Sequence, residues 1–411
     1  MKKLMSIAFA AALAFGSLCM PVNAQETNVV NEATSNPIDW IEGSFTSLQD
    51  GSIPLYTGDD AFIALSQTAY GMNEEQLQKS EAKFIPLTQK KIENPRATAN
   101  DVEKMIMLVE AYGYDASAYE MNGKIVNLYD MLSEFELSFT NDYVFALEAL
   151  HSGNYSPAKD SKLDKDQLIK DLIALRNPAD HAWNYTGDYT GTWGSSDTDT
   201  TAMVLTALAP YYNLPESETG ISKETKDAVK QAVEEGFTYL KDFQEENGAM
   251  KSVWSNGNSN TTAMMIVTMA AYGKDMNTEF VVNGNTLIDG LMNFALEDKK
   301  GFGSTDKNDL DGYGTEQAVR ALIAYKNAKV GVPYYLYQAG VKLNENRFQV
   351  NQPTVDETIN EKDDVNTPDK EIQNGNKQEP VIKDTSKGMN SSLFVLALCA
   401  SAGLVLVRKK A

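Results

Sequence analysis

The chain has 411 residues, 42% of them hydrophobic and 23% charged, with a formal net charge of −21. A surface this acidic repels nucleic acid and anionic lipid, and suits a protein in an aqueous compartment. The two cysteines, Cys19 and Cys399, lie near the ends, so the body has no disulfide, no thiolate metal site and no cysteine nucleophile.

The first element in chain order is a targeting segment. Lys2 and Lys3 precede an apolar run from Met5 to Leu18, and Val22-Asn23-Ala24 offers small residues for cleavage before Gln25. Residues 1–24 read as a secretory signal peptide.

Residues 36–343 form the expected folded body, which is organised by internal repetition. The early copies are "DDAFIALSQTAYG" (Asp59 to Gly71), "NDVEKMIMLVEAYG" (Asn100 to Gly113) and "NDYVFALEALHSG" (Asn141 to Gly153). The later ones are "TTAMVLTALAPYY" (Thr200 to Tyr212), "TTAMMIVTMAAYG" (Thr261 to Gly273) and "TEQAVRALIAYKN" (Thr315 to Asn327). Each opens on Asp, Asn or Thr and continues as an apolar helical run, the mark of a helix buried on most sides. The segments between them differ. In Glu224 to Phe243, Val229, Val233, Phe237 and Leu240 make a single stripe among charges, as an outer helix requires. Asp164 to Arg176 and Asn285 to Glu297 behave in the same way. About six such inner and outer pairs describe an all-α fold, an α/α toroid, with an open helical solenoid as the competing arrangement.

Residues 344–388 turn polar and read as a disordered spacer. Residues 389–411 hold an uncharged run, Leu393 to Val407, followed by Arg408, Lys409 and Lys410, and read as a C-terminal transmembrane or surface-anchor segment. Signal, body, spacer and tail together resemble a Gram-positive cell-surface protein with a sortase-type cell wall anchor. "EPVIKDTS" keeps Pro380 and Asp384-Thr385-Ser386, but has Glu379, Ile382 and Lys383 where that family has Leu, Thr and Gly. The expectation is an exported protein tethered at the cell surface, with the membrane as a partner and no nucleic acid.

The last three copies, beginning at "GTWGSSDTDTTAMV", "SVWSNGNSNTTAMM" and "KGFGSTDKNDLDGYGTEQAV", share a turn, a polar cap and an Ala-rich inner helix. This plan resembles the prenyltransferase and squalene-cyclase repeat superfamily of terpenoid-cyclase-like toroids. Within it, the bacterial surface branch similar to the helical domain of transcobalamin and intrinsic factor matches best, over Trp183 to Tyr325. The resemblance implies a toroid, and cobalamin or another corrinoid as a possible ligand, with no resident cofactor.

Asp197 and Asp199 match the first two acids of that superfamily's Asp-x-Asp-Asp motif, with Thr200 in the last place. The resemblance therefore implies an alternative, a terpene-cyclase-like enzyme with Asp199 as general acid and Asp197 as supporting carboxylate. Burial and a neighbouring like charge would keep such an acid protonated. Asp and Thr are also good N-cap residues. The parallel copies, with Asn260-Thr261-Thr262 and Thr315-Glu316, keep capping ability and lose acidity, so capping is the favoured role. Aromatic turns at Trp183, Tyr185, Tyr189, Trp193, Trp254 and Tyr313 precede inner helices and should gather at one mouth of the barrel. The favoured expectation is a toroid without catalysis that binds a ligand or partner at this mouth, and the remaining alternative is an adhesin or scaffold. Its ligand-binding candidates are Trp183, Trp193, Asp197, Asp199, Thr200, Trp254, Asn258, Asn260, Tyr313 and Glu316, with no metal ligand. His151 and His181 fall at ordinary loop or helix-end positions.

Overall fold

The computed structural model describes residues 36–53, 60–191 and 194–331. The signal segment, the polar spacer and the apolar tail lie outside the described residues. In chain order the helices are α1 (Trp40–Asp50), α2 (Asp60–Tyr70), α3 (Glu74–Ile92), α4 (Ala99–Ala111), α5 (Leu128–Ser133), α6 (Thr140–Ser152) and α7 (Lys165–Ala174). They continue with α8 (Thr198–Asn213), the single turn α9 (Glu216–Thr219), α10 (Lys223–Leu240), α11 (Ser259–Ala271), α12 (Leu287–Met292) and α13 (Gly312–Ala328). A small hairpin, β1 (Tyr119–Met121) and β2 (Lys124–Val126), pairs antiparallel with Tyr119 opposite Val126.

Helices α2, α4, α6, α8, α11 and α13 form an inner ring in which each packs on the next, and α13 packs back on α2. That last contact makes the array a closed α/α toroid rather than an open solenoid. The burial patterns explain the two layers. α11 is buried along its entire length, from Ser259 to Ala271. α10 buries one stripe, including Val229, Val233, Phe237 and Leu240, against α8. Small side chains let the inner helices approach closely, and the hydroxyls of Thr206 and Thr268 meet at 3.0 Å between α8 and α11.

The outer helix behind α13 is α1, so the start of the described chain completes the last pair. The Trp40 indole N–H donates to the Leu296 carbonyl at 2.7 Å, and the Lys299 ammonium lies 5.0 Å from the Trp40 ring centre.

The inner-helix N-termini share one end of the ring. Asn100 Nδ2 donates to Asp142 Oδ1 at 2.8 Å, and the Thr140 N–H donates to the Tyr185 carbonyl at 3.0 Å. Thr198 Oγ1 donates to the Lys251 carbonyl at 3.2 Å, and Asn260 Nδ2 to Gln317 Oε1 at 3.1 Å. This end is the mouth. At the opposite end, Asn213 Nδ2 donates to the Ala271 carbonyl at 3.0 Å.

Short extended segments add to the all-α fold expected from the sequence. The loops before α11 and α13 carry antiparallel bridges, Gln244 with Met250, Lys251 with Gly257, Ala295 with Phe302 and Gly303 with Leu310. A tight turn at Asn247-Gly248 and bends over residues 253–256 fold the first loop back on itself. Gly248 has a φ of +88°, and a Cβ there would sit 2.2 Å from the Thr286 carbonyl oxygen, so only glycine fits. Among the described residues, no helix is long and apolar enough to cross a membrane.

Candidate active site at the toroid mouth

Three inner helices are held at the mouth by the same device. The N-cap residues of α8, α11 and α13 are Asp197, Asn258 and Asp311, which accept the N–H groups of Thr200, Thr261 and Gly314. Each N-cap N–H donates to a carbonyl in the preceding loop: Asp197 to Trp183 at 2.7 Å, Asn258 to Met250 at 3.1 Å and Asp311 to Phe302 at 3.0 Å. The N–H of that same loop residue donates to a threonine hydroxyl one turn into the helix. The pairs are Trp183 to Thr201 at 3.1 Å, Met250 to Thr262 at 2.9 Å and Phe302 to Thr315 at 3.0 Å. The register of Thr201, Thr262 and Thr315 in the sequence is therefore a record of this lock.

The device separates the two acids of α8. Asp197 is the cap: its Oδ2 accepts from the Thr200 N–H at 2.9 Å and from the Thr200 hydroxyl at 2.8 Å. Asp199 stands two residues further on; its N–H also faces the Asp197 carboxylate, but its side chain takes no part in the cap. Capping, the role expected of the pair, belongs to Asp197 alone, and the capping counterparts of Asp197 are Asn258 and Asp311. Asn260 is the counterpart of Asp199, and it holds Gln317 at 3.1 Å and the Ser304 hydroxyl at 3.0 Å instead of capping.

Both carboxyl groups are half-buried, yet one oxygen of each is sealed from solvent without a hydrogen-bond partner. Enclosure by protein raises both above the ordinary range. For Asp199, desolvation acts first and the Asp197 charge second, while Thr261 on the neighbouring helix opposes the rise; the carboxyl is pushed up to about 7. A proton held near neutrality on a partly exposed carboxyl is the property of a general acid.

The other candidates divide between core and rim. Trp183 is fully buried, with its indole N–H on the Leu172 carbonyl at 2.8 Å, so it wedges α7 against the mouth loop and offers no ligand surface. Trp193 lies outside the described residues. Thr200 and Asn258 are buried in the cap arrangement. Trp254 is 41% exposed, on a turn where Ser252 Oγ accepts the Trp254 and Ser255 N–H groups, both at 3.1 Å. Tyr313 is half-buried in the first turn of α13. Glu316 is buried below the mouth, with its Oε1 3.6 Å from Arg320 Nε, and the Arg320 guanidinium lies 4.4 Å from the Phe62 ring centre.

Sequence reasoning missed Thr261 as a neighbour of Asp199, and missed the ring pair Phe139–Tyr185, whose centres lie 5.6 Å apart in stacked orientation. It also missed Glu103, a fully buried acid of α4 with neither carboxyl oxygen hydrogen-bonded. The signal for Glu103 was available: it interrupts the apolar run "NDVEKMIML" of an inner helix. A cavity of about 490 Å³ lies at the end opposite the mouth, among Asn213, Tyr272, Lys274, Asp275 and Tyr325.

No family model matches the chain. No curated protein matches it either. Among solved structures, it is similar to a possible member of the GH105 family from Klebsiella pneumoniae subsp. pneumoniae MGH 78578, at 8% identity and a TM-score of 0.40, over 74% of this chain and 95% of that one. It is also similar to an unsaturated glucuronyl hydrolase responsible for glycosaminoglycan degradation, from Bacillus sp. GL1. There the identity is 12% and the TM-score 0.39, over 75% of this chain and 90% of that one.

These findings correct the expectation of a non-catalytic, transcobalamin-like binding toroid. One of these solved structures is an unsaturated glucuronyl hydrolase and the other a possible GH105 member, and neither points to a corrinoid binder or to the particular superfamily branch. At such scores the likeness assigns this chain neither an activity nor a substrate. The positive case for catalysis rests on Asp199.

Proposed function

We propose that the chain is a hydrolytic enzyme in which Asp199 is the general acid, kept protonated by its enclosure and then by the neighbouring Asp197 carboxylate. The observation that carries this reading is the division of labour in α8. One acid is committed to the helix cap, and the other is left uncapped, enclosed and poised near neutral pH.

The chemistry follows from that arrangement. Asp199 gives its proton to the leaving oxygen as the bond between that oxygen and carbon breaks. Water supplies the hydroxyl to the carbon, and the second proton of that water restores the Asp199 carboxyl. Solvent contact at Asp199 favours hydrolysis over cyclisation, because a cation formed beside water is captured by it. Support for an exported, tethered location comes from the signal-like start and the apolar, basic tail of the sequence. The inner-helix plan shared with prenyltransferase-type toroids supports the repeat architecture.

The test is turnover of neutral oligosaccharides by the wild-type chain and by Asp199→Asn. Asparagine suits this position sterically, since Asn260 occupies the equivalent place in α11. Full activity in the variant would remove the acid reading.

A further inference from the structure

Six large apolar side chains are exposed among the described residues, and three of them, Phe139 at 44%, Trp254 at 41% and Leu310 at 38%, precede inner helices. They belong to the loops before α6, α11 and α13, which places all three on the mouth face that holds Asp199. Phe139 is stiffened by stacking on Tyr185, and Trp254 is raised on its serine-braced turn. Aromatic rings held rigidly in water cost hydration free energy, and are found where a flat apolar surface is to be covered.

We propose that this rim is a binding platform for a neutral polysaccharide, whose sugar rings stack on Trp254 and on the Phe139–Tyr185 pair and lead the chain across Asp199. A sugar ring offers what the rim asks for. It has an apolar face for the aromatic plane and hydroxyls for the polar residues between the platforms, such as Asn256 and Ser255. Charge selects among glycans. The chain carries −21 overall, and Asp188 before α8 and Asp306 and Asp309 before α13 are exposed and outnumber Lys307 between the last two, so a uronic-acid or sulfated polymer is repelled. Separated platforms on an open rim suit a polymer that spans them. This proposal builds on the hydrolase reading by naming its substrate class, and its test is read independently of turnover.

The experiment is affinity electrophoresis of the full chain through gels containing soluble β-glucan, xylan or hyaluronan. The expected result is retardation by at least one neutral glycan and none by hyaluronan. Trp254→Ala and Phe139→Ala should each weaken binding about tenfold, the equivalent of one lost stacking contact. Trp254→Phe should keep most of the affinity, with circular dichroism checking that each variant is folded. Failure of every neutral glycan to retard the chain would overturn the proposal, as would stronger retardation by hyaluronan. Retardation unchanged in both alanine variants would do the same. If ring-dependent retardation persists while Asp199→Asn keeps full activity, the platform stands and the hydrolase reading falls.

Discussion

The Asp197 carboxylate accepts the Thr200 main-chain N–H at 2.9 Å, and Asp199, on the same turn of α8, is left outside that bond. Two acids two residues apart thus have separate tasks, and each can be removed without removing the other. Asp199→Asn should lower kcat by about 10²- to 10⁴-fold, the usual contribution of a general acid. Its melting temperature at acidic pH should match the wild type. Parallel measurement of hydrolysis rate and thermal melting checks both halves.

Asp197→Ala should cost about 1 kcal/mol of stability through the lost cap. It also removes the like charge beside Asp199, so the alkaline limb of activity, where Asp199 gives up its proton, moves to lower pH. Asp197→Asn keeps a capping oxygen and should show the pH shift with little loss of stability. Urea denaturation and a pH–rate profile separate the two effects.

The pH dependence of stability has a defined sign. Asp199 in the folded chain is pushed up to about 7 from an ordinary value of 3.8, so the fold favours its protonated form. The stability linked to that proton is complete below the unfolded value and is lost as pH rises through the folded one. Glu103, raised by burial and then by Asp142, acts in the same direction. Calorimetry should therefore find a higher melting temperature near about pH 5 than near about pH 8, and Asp199→Asn should narrow the difference.

The threonine lock predicts a cost for an isosteric change. Thr262→Val keeps the shape but leaves the buried Met250 N–H without its acceptor. A loss of about 1–2 kcal/mol is expected, and Thr315→Val should do the same at Phe302. Equilibrium denaturation of the two variants checks this, and equal stability in both would exclude the lock as a stabilising device.

Gly290 supplies a packing test that touches neither acid of α8. A Cβ there would lie 2.3 Å from the Ala249 nitrogen and 2.4 Å from the Gly248 oxygen, both backbone atoms. Gly290→Ala should therefore cost roughly 1–3 kcal/mol by overpacking α12 on the turn before α11, despite the better helix propensity of alanine. Thermal melting reads it directly.

The inner helices were legible in the sequence because a helix enclosed on all sides must be apolar on all sides, as Thr261 to Ala271 is. The outer stripe of Val229, Val233 and Phe237 was legible for the complementary reason. The role of each acid was not. Asp197, Thr198 and Asp199 are all capable of capping, and the choice is made by the bond from the Asp197 N–H to Trp183, fourteen residues back. The environment of Asp199 was equally hidden, since its enclosure is made by packing and Thr261, which opposes the rise, comes from another copy of the repeat. Treating both acids as one capping unit led to the expectation of no catalysis. Trp183 and Trp254 looked alike as aromatic turn residues, and only packing separates a buried wedge from an exposed plane.

The bond from Trp40 to Leu296 joins positions 256 residues apart, and it sets an order of assembly. As the chain is synthesised, α1 emerges first with its apolar stripe of Ile41, Phe45 and Leu48 uncovered, and its seat on α13 is the last to be made. Contacts of such long range form late and slowly. Until then the growing protein is an arc with two raw ends, vulnerable to pairing with a second arc instead of with itself.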